Sequence, residues 1–135
     1  MSTIYQTHIS DLFWWACDIP GNVGWITYTL CTFREVWKKK DLYNVANIIP
    51  AVFMLIGVSE LISERFVGLD RILTGKMLYR GFGSMVAGGF LGIPLALVGL
   101  KKGRNHALAQ LSGSLLCAVF AGLLLKSYKE EQIQI

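Results

Sequence analysis

The sequence predicts an all-α integral membrane protein of about four transmembrane helices, the first broken or kinked and the last two a tight antiparallel hairpin. Three observations carry that expectation. Of the 135 residues, 53% are hydrophobic and only 16% are charged, against about 25% charged in an ordinary soluble domain. The charge deficit is gathered into uncharged runs of membrane-crossing length, and about 20 apolar residues suffice for a helix to cross the roughly 30 Å hydrocarbon layer. Small residues recur every four positions in the second half of the chain, a spacing that lets helix backbones approach closely in a bilayer. The crossings fall at 12–33, 42–62, 81–100 and 107–125, and 1–135 reads as a single membrane domain with no room for a separate soluble one.

The first stretch, 12–33, has Asp18 as its only charge and is interrupted by Asp18-Ile19-Pro20-Gly21-Asn22. Proline removes a backbone donor and clashes with the preceding turn, while glycine adds freedom. The favoured reading is a short interfacial helix over 12–17 followed by a helix starting near Pro20, with an Asp just ahead of it as N-cap. A kinked continuous span is the other reading. Three true spans plus an interfacial N-terminal helix is the main alternative to four. Trp14, Trp15 and Trp25 suit an aromatic belt at the headgroup level.

After the polar link Arg34-Glu35-Val36-Trp37-Lys38-Lys39-Lys40-Asp41, the second span covers 42–62, with Pro50 near its middle and Glu60 near its end. Pro50 is expected to kink it. In the long polar connection that follows, Phe66, Leu69, Leu73 and Met77 fall on one helical face, which suits an interfacial helix over 64–78 broken near Thr74-Gly75; an ordinary loop with scattered apolar residues is the other reading. The tail from Lys126 reads as a polar helix end or a frayed terminus.

The third and fourth spans are joined by Lys101-Lys102-Gly103-Arg104-Asn105, a link short enough to make them antiparallel neighbours. One small-residue ladder runs through Ser84, Gly88, Gly92 and Ala96, and another through Ala109, Gly113, Cys117 and Ala121. The expectation is that these two ladders close on each other. That leaves Ser114, Ala118 and Gly122 as a second small face, free to meet spans one and two or another subunit. Gln110, Ser112 and Ser114 are expected to make interhelical hydrogen bonds.

The candidate intramembrane ionisable residues are Asp18 and Glu60. A carboxylate inside a span costs roughly 2.5–3.5 kcal/mol on insertion scales. Asp18 therefore reads as a helix cap at the membrane surface, as a site for a proton or cation, or as the pairing group for a basic residue of a partner. Glu60 sits where it can reach the interface or pair with Arg65 or Arg80. The link after spans one and three holds seven of the 13 basic residues and the opposite side six. The first span has no basic residue before it and four after, which places both termini on the non-cytoplasmic side.

Other chemistry is thinly represented. Net charge is +4, but the basic residues sit between apolar spans and serve as interface anchors rather than as a nucleic-acid patch. Cys17, Cys31 and Cys117 are isolated and lack metal or disulfide spacing. His8 and His106 have no ligand partner at useful spacing. Gly81-Phe82-Gly83-Ser84 follows no strand and precedes no Lys-Ser/Thr, so it is not a phosphate loop. The sequence therefore offers no catalytic, cofactor-binding or metal-ligating residues, and bound lipid is compatible with the apolar surface. Met1 to Ser10 carries no Lys or Arg and has no cleavage site of a secretory signal. An organellar inner membrane and the endoplasmic reticulum fit equally.

The stretch Lys38-Lys39-Lys40-Asp41-Leu42-Tyr43-Asn44-Val45-Ala46-Asn47-Ile48-Ile49-Pro50 resembles a segment of the membrane-associated glutathione and eicosanoid enzymes. Those small four-helix proteins carry a basic pair, an asparagine and a glutamate ahead of a proline-kinked second helix. The basic run, Ile48-Ile49 and Pro50 match. Ala46 stands in place of the glutamate, and the later arginine-containing motif is not matched, so no family is assigned.

Three functions are open at this level. The first is a non-catalytic subunit of a larger membrane complex, acting in assembly or stabilisation through helix packing, with lipids and other subunits or copies of itself as partners. The second is a small homo-oligomeric channel or carrier with Asp18 near its pathway. The third is a small membrane enzyme acting on lipophilic substrates, the activity the resemblance implies.

Overall fold

A computed structural model of the chain describes residues 3–7, 10–66 and 72–132. In chain order the elements are β1 (Thr3–Thr7), α1 (Asp11–Lys38), α2 (Leu42–Ala46), α3 (Ile48–Phe66), β2 (Ile72–Thr74), α4 (Gly75–Lys101), α5 (Ala107–Ser127) and β3 (Tyr128–Gln132). The membrane body is entirely helical, as expected. Among the described residues, three stretches are long and apolar enough to cross a bilayer: Leu42–Ile62, Arg80–Lys101 and Ala107–Ser127, with mean hydropathies of 2.0, 1.8 and 2.0.

α1 corrects the favoured reading of the first stretch. It runs unbroken for 28 residues, with Pro20 inside it. Its start is set by Ser10, whose hydroxyl accepts from the Phe13 N–H at 3.3 Å, and not by an Asp18 cap. Breaking a helix in lipid strands several N–H and C=O groups with no water to receive them. Continuing through a proline forfeits one bond, here to the Ala16 carbonyl. The helix is packed against α5 at this weak point, since a Cβ at Gly21 would lie 3.6 Å from Phe120 Cβ. The Asn22 side chain stays within the helix, accepting from Trp25 Nε1 at 2.9 Å.

Pro50 acts where it was expected to act. Its ring excludes the carbonyl of residue 46 from helical bonding, and α2 ends at Ala46 while α3 starts at Ile48. The joint at Asn47 is mild: Asn47 N–H reaches Tyr43 O at 3.2 Å and Ala51 N–H reaches Asn47 O at 3.3 Å.

The α4–α5 link is a Schellman turn. Gly103 adopts φ +75°, its N–H donates to Leu100 O at 3.0 Å, and the Arg104 N–H donates to Gly99 O at 2.9 Å. The left-handed position needs a residue without Cβ, so the single glycine of the basic link sets where α4 stops.

Four helices stand side by side in the order α3–α4–α5–α1, each antiparallel to the next, with α1 meeting α3 less extensively. Gly21 lies near Phe120, Gly24 near Cys117 and Tyr28 near Gly113, so α1 follows α5 down most of its length. α1 falls outside the apolar set because Asp18, Pro20 and Asn22 interrupt it; its outer face, with Ile19, Val23, Ile26 and Leu30, is nonetheless exposed and apolar. The interior holds Asp18, Thr32, Asn44, Asn47, Gln110 and Ser114, all buried. Apolar groups outside and polar groups inside is the arrangement a bilayer favours.

The remaining segments depart from the helical expectation. β2, β1 and β3 form an antiparallel sheet in that order, with Ile4 opposite both Thr74 and Glu131. β1 precedes α1, β2 leads into α4 and β3 follows α5, so the sheet belongs to one end of the bundle. The interfacial helix expected at 64–78 is not formed: α3 continues to Phe66, Ile72–Thr74 is a strand and α4 opens at Gly75. Residues 67–71 of that prediction lie outside the described residues. The tail expected as a helix end pairs as β3. The cause is common to both: Thr3–Thr7 is rich in β-branched and aromatic residues, and its pairing with two distant segments leaves no mark in helical periodicity.

Candidate functional site: a polar cluster and a buried carboxylate

The small residues of α4 and α5 are the first to place, because they decide which faces are free. A Cβ at Gly24 would lie 2.7 Å from both the Cys117 nitrogen and the Gly113 oxygen, and one at Gly113 would lie 2.7 Å from the Gly24 oxygen. Gly113, Cys117 and Ala121 therefore back onto α1. On the adjacent face, a Cβ at Gly89 would meet Ala118 Cβ at 2.7 Å, one at Gly92 would meet Ser114 Cβ at 2.9 Å, and one at Gly122 lies 3.9 Å from Val86 Cγ2. Ser114, Ala118 and Gly122 thus close the hairpin against α4. The sequence reading assigned these faces the other way round.

α4 divides its small residues similarly. Ser84 Oγ donates to Phe53 O at 2.7 Å, and a Cβ at Gly88 would lie 2.8 Å from Pro50 O, so both face α3 and not α5. Ala96 is fully buried, and Ala109 is half-buried. The expected pairing failed by one position of helical rotation. A repeat of four residues drifts about 40° per step against a 3.6-residue turn, so one ladder touches different neighbours along its length.

Gln110 makes the expected bonds between helices, whereas Ser112 and Ser114 donate to Leu108 O and Leu111 O of their own helix, each at 3.0 Å. Cys117 Sγ–H reaches Met85 O at 3.3 Å.

The largest polar assembly lies where the α1–α2 and α4–α5 links meet. Asp41 caps α2 by accepting from the Asn44 N–H at 2.8 Å, and Arg104 Nη1 approaches its other oxygen at 2.6 Å. The Asn44 N–H and then the Arg104 guanidinium hold the Asp41 carboxyl below the usual carboxylate range. Arg104 also stands 5.6 Å over the Tyr43 ring, a cation–π distance. Asn44 Nδ2 donates to Lys39 O at 2.8 Å and Glu35 O at 3.3 Å. His106 bridges Asn44 Oδ1, at 3.2 Å, and Glu35 Oε2, at 3.6 Å.

Deeper, Tyr43 Oη donates to Gln110 Oε1 at 2.6 Å, and Gln110 Nε2 donates to Thr32 Oγ1 at 3.1 Å. Tyr28 Oη donates to Asn47 Oδ1, and Asn47 Nδ2 donates to Tyr43 O at 2.8 Å. A Cβ at Gly99 would fall on the Tyr43 hydroxyl, so that glycine makes room for the ring. The network ties α1, α2 and α5 at one membrane surface. The sequence reading set His106 aside and used Tyr43-Asn44 only for the enzyme resemblance. Asp41, Asn44 and Asn47 at spacings of three were the available signal.

The two ionisable candidates lie toward the other end. Glu60 Oε1 is 3.9 Å from Arg80 Nη1. Asp18 is buried, at 5% exposed, and lines a cavity between all four long helices whose other walls include Leu61, Phe82, Met85, Ala121 and Leu124. It is neither a helix cap nor at the lipid face.

These features define a helical, multi-pass membrane protein. No family model matches the chain, and neither curated proteins nor solved structures show a match to it.

Proposed function

We propose that the protein is a non-catalytic subunit of a larger membrane complex, with α1 as a fourth crossing, and that it joins its partner along the outer seam of α3 and α4. The observation that carries this reading is a groove in that seam. Near one end it is lined by Phe53, Ile56, Glu60, Arg80, Ser84 and Ala87. It resumes toward the other end with Ala46, Ile49, Leu91, Pro94 and Val98. On α4 the lining residues 80, 84, 87, 91, 94 and 98 alternate steps of four and three, a single stripe along one face.

A groove between two helices receives the side-chain ridge of a third, and Ala46, Ser84 and Ala87 let a backbone come close. Its length matches a membrane-crossing helix. The occupant is therefore a transmembrane helix of a partner subunit. The Glu60–Arg80 pair at one end supplies polar groups for register. The reading shifts the docking surface from the Ser114 face of α5, which is spent on α4.

The polar cluster supports the non-catalytic part. Its side chains are committed to one another or to backbone groups, as a structural network requires, while a catalytic set needs groups converging on a place for substrate.

Extraction of native membranes in a mild detergent tests the proposal. The chain is expected to migrate within a larger particle, and Ala87→Trp, which fills the groove, is expected to release it as the free chain with its thermal midpoint within about 2 °C of wild type, the behaviour of a surface substitution. Migration of the wild-type chain alone overturns the reading.

The Asp18 cavity favours a second reading, a carrier. Such a carrier would work through the interior of one chain, because the small faces once assigned to a ring of hairpins are occupied within it.

A further inference from the structure

The two links that meet at the polar cluster also decide where the chain keeps its charge. Arg34, Lys38, Lys39 and Lys40 lie at the end of α1 and just beyond it, and Lys101, Lys102 and Arg104 lie at the end of α4 and in the turn to α5. The contacts of Asp41 with Arg104 and of Asn44 with His106 bring both groups to one membrane surface. These two segments hold seven basic residues and two acidic ones, Glu35 and Asp41, while the rest of the chain holds six basic and seven acidic. The net charge of +4 is therefore gathered at this one end.

Both acids are answered from inside the protein. Arg104 Nη1 lies 2.6 Å from Asp41 Oδ2, and His106 Nδ1 lies 3.6 Å from Glu35 Oε2. Lys38, Lys39, Lys40, Lys101 and Lys102 are all exposed, and none of them forms an ion pair among the described residues. Their depth follows from their neighbours. Trp37, 89% exposed, precedes the lysine run, and Leu42, 84% exposed, follows it. Indole and aliphatic side chains belong at or below the headgroups, so the ammonium groups beside them reach to headgroup level, as lysines at helix ends do. Basic residues at that level attract anionic lipid. An acidic protein segment laid over the lysines from the water side would leave Trp37 and Leu42 without apolar cover, whereas a lipid supplies both the negative charge and the hydrocarbon.

We propose that this face binds anionic phospholipid, with Lys38, Lys39, Lys40, Lys101 and Lys102 holding the headgroup phosphates and with Trp37 and Leu42 against the upper part of the acyl chains. The inference does not rest on the α3–α4 seam, since the lysines lie in the links and the face is present in a chain that has no partner.

The test uses the purified full-length chain in phosphatidylcholine vesicles. A small fraction of brominated phosphatidylglycerol, or of brominated phosphatidylcholine, serves as quencher of Trp37, whose signal is isolated by difference from Trp37→Phe. At equal mole fraction the anionic quencher is expected to act as though enriched about fivefold around Trp37, the effect of a single lysine near an anionic surface. Replacing the five lysines by glutamine is expected to bring the two quenchers level, and so is salt at about 1 M, where charges are screened beyond about 3 Å. Lys126→Gln with Lys129→Gln, at the opposite end of the bundle, is expected to leave the difference in place. Where the five-lysine variant does not insert, Lys101→Gln with Lys102→Gln is expected to reduce the enrichment by at least half. Equal quenching in the wild type overturns the proposal, as does enrichment that survives removal of the lysines. Equal quenching in the wild type, joined to release of the lysine variant from its native particle, marks an acidic partner segment instead and overturns it too.

Discussion

Replacing Gly24 by leucine is expected to lower the thermal midpoint of the purified protein by roughly 10 °C, corresponding to about 3 kcal/mol. The position is unforgiving because of what its missing side chain would meet. A Cβ there would stand 2.7 Å from the Cys117 nitrogen and the Gly113 oxygen, and 2.8 Å from Leu116 Cβ. Two of these are main-chain atoms of α5, which cannot rotate out of the way, so relief requires that α1 and α5 separate. Separation in turn pulls apart Tyr28 and Gly113 and weakens the bond between Thr32 and Gln110. The control is Gly83→Ala, where nothing lies within 4 Å of the added carbon. There the result expected is no loss, and up to about 1 kcal/mol of gain, since glycine within a helix is less favourable than alanine. A Gly24→Leu protein that melts with the wild type would show that α1 and α5 do not pack in this way.

The second large effect is expected at Gln110. The side chain is fully buried, accepts from Tyr43 Oη at 2.6 Å and donates to Thr32 Oγ1 at 3.1 Å. Gln110→Leu keeps the volume but strands a phenol and a hydroxyl away from water. Each stranded group costs about 1–3 kcal/mol in water-soluble interiors, while membrane hydrogen bonds average nearer 0.6 kcal/mol because the unfolded chain also finds partners in lipid. The sum expected is about 2 kcal/mol. The diagnostic comparison is the triple variant Gln110→Leu, Tyr43→Phe, Thr32→Val, in which no polar group is left behind. It is expected to recover at least half of the loss, because removing all partners of a network costs less than removing one. Additive losses across the three substitutions would show that the bonds are not coupled.

The helical plan was legible because the bilayer writes it in composition. The three apolar runs at 42–62, 81–100 and 107–125 appear as spans whose ends differ from those read by a few residues at most. Pro50 acted as expected because its effect is local: the carbonyl it blocks is four residues away. Pro20 misled because its effect depends on what the helix packs against, and α5 supports α1 on either side of it. The small-residue faces were visible as faces, but not which neighbour each would meet. That assignment turns on helix rotation, and Gly88 and Gly89, adjacent in sequence, face α3 and α5 respectively. The sheet was hidden because its partners lie far apart in sequence, Ile4 pairing with Thr74 about half the chain away and with Glu131 near the other end. The polar cluster was hidden for a similar reason, since Tyr43, His106 and Gln110 become neighbours only when α2 and α5 are set side by side. Asp18 was singled out by its charge alone, and only the surrounding helices show that it faces a cavity and not the membrane surface.

The claim on which the rest stands is that both small faces of α5 are consumed within one chain, one by α1 and the other by α4. Disulfide trapping in native membranes tests it most directly. With Cys17, Cys31 and Cys117 replaced by alanine, cysteines are placed at Gly21 and Phe120, whose Cβ atoms would lie 3.6 Å apart, inside the range a disulfide accepts. The structure predicts rapid oxidation to a single intramolecular bridge, with the protein remaining a monomer on non-reducing gels. A covalent dimer as the main product, or no bridge at all, would contradict it.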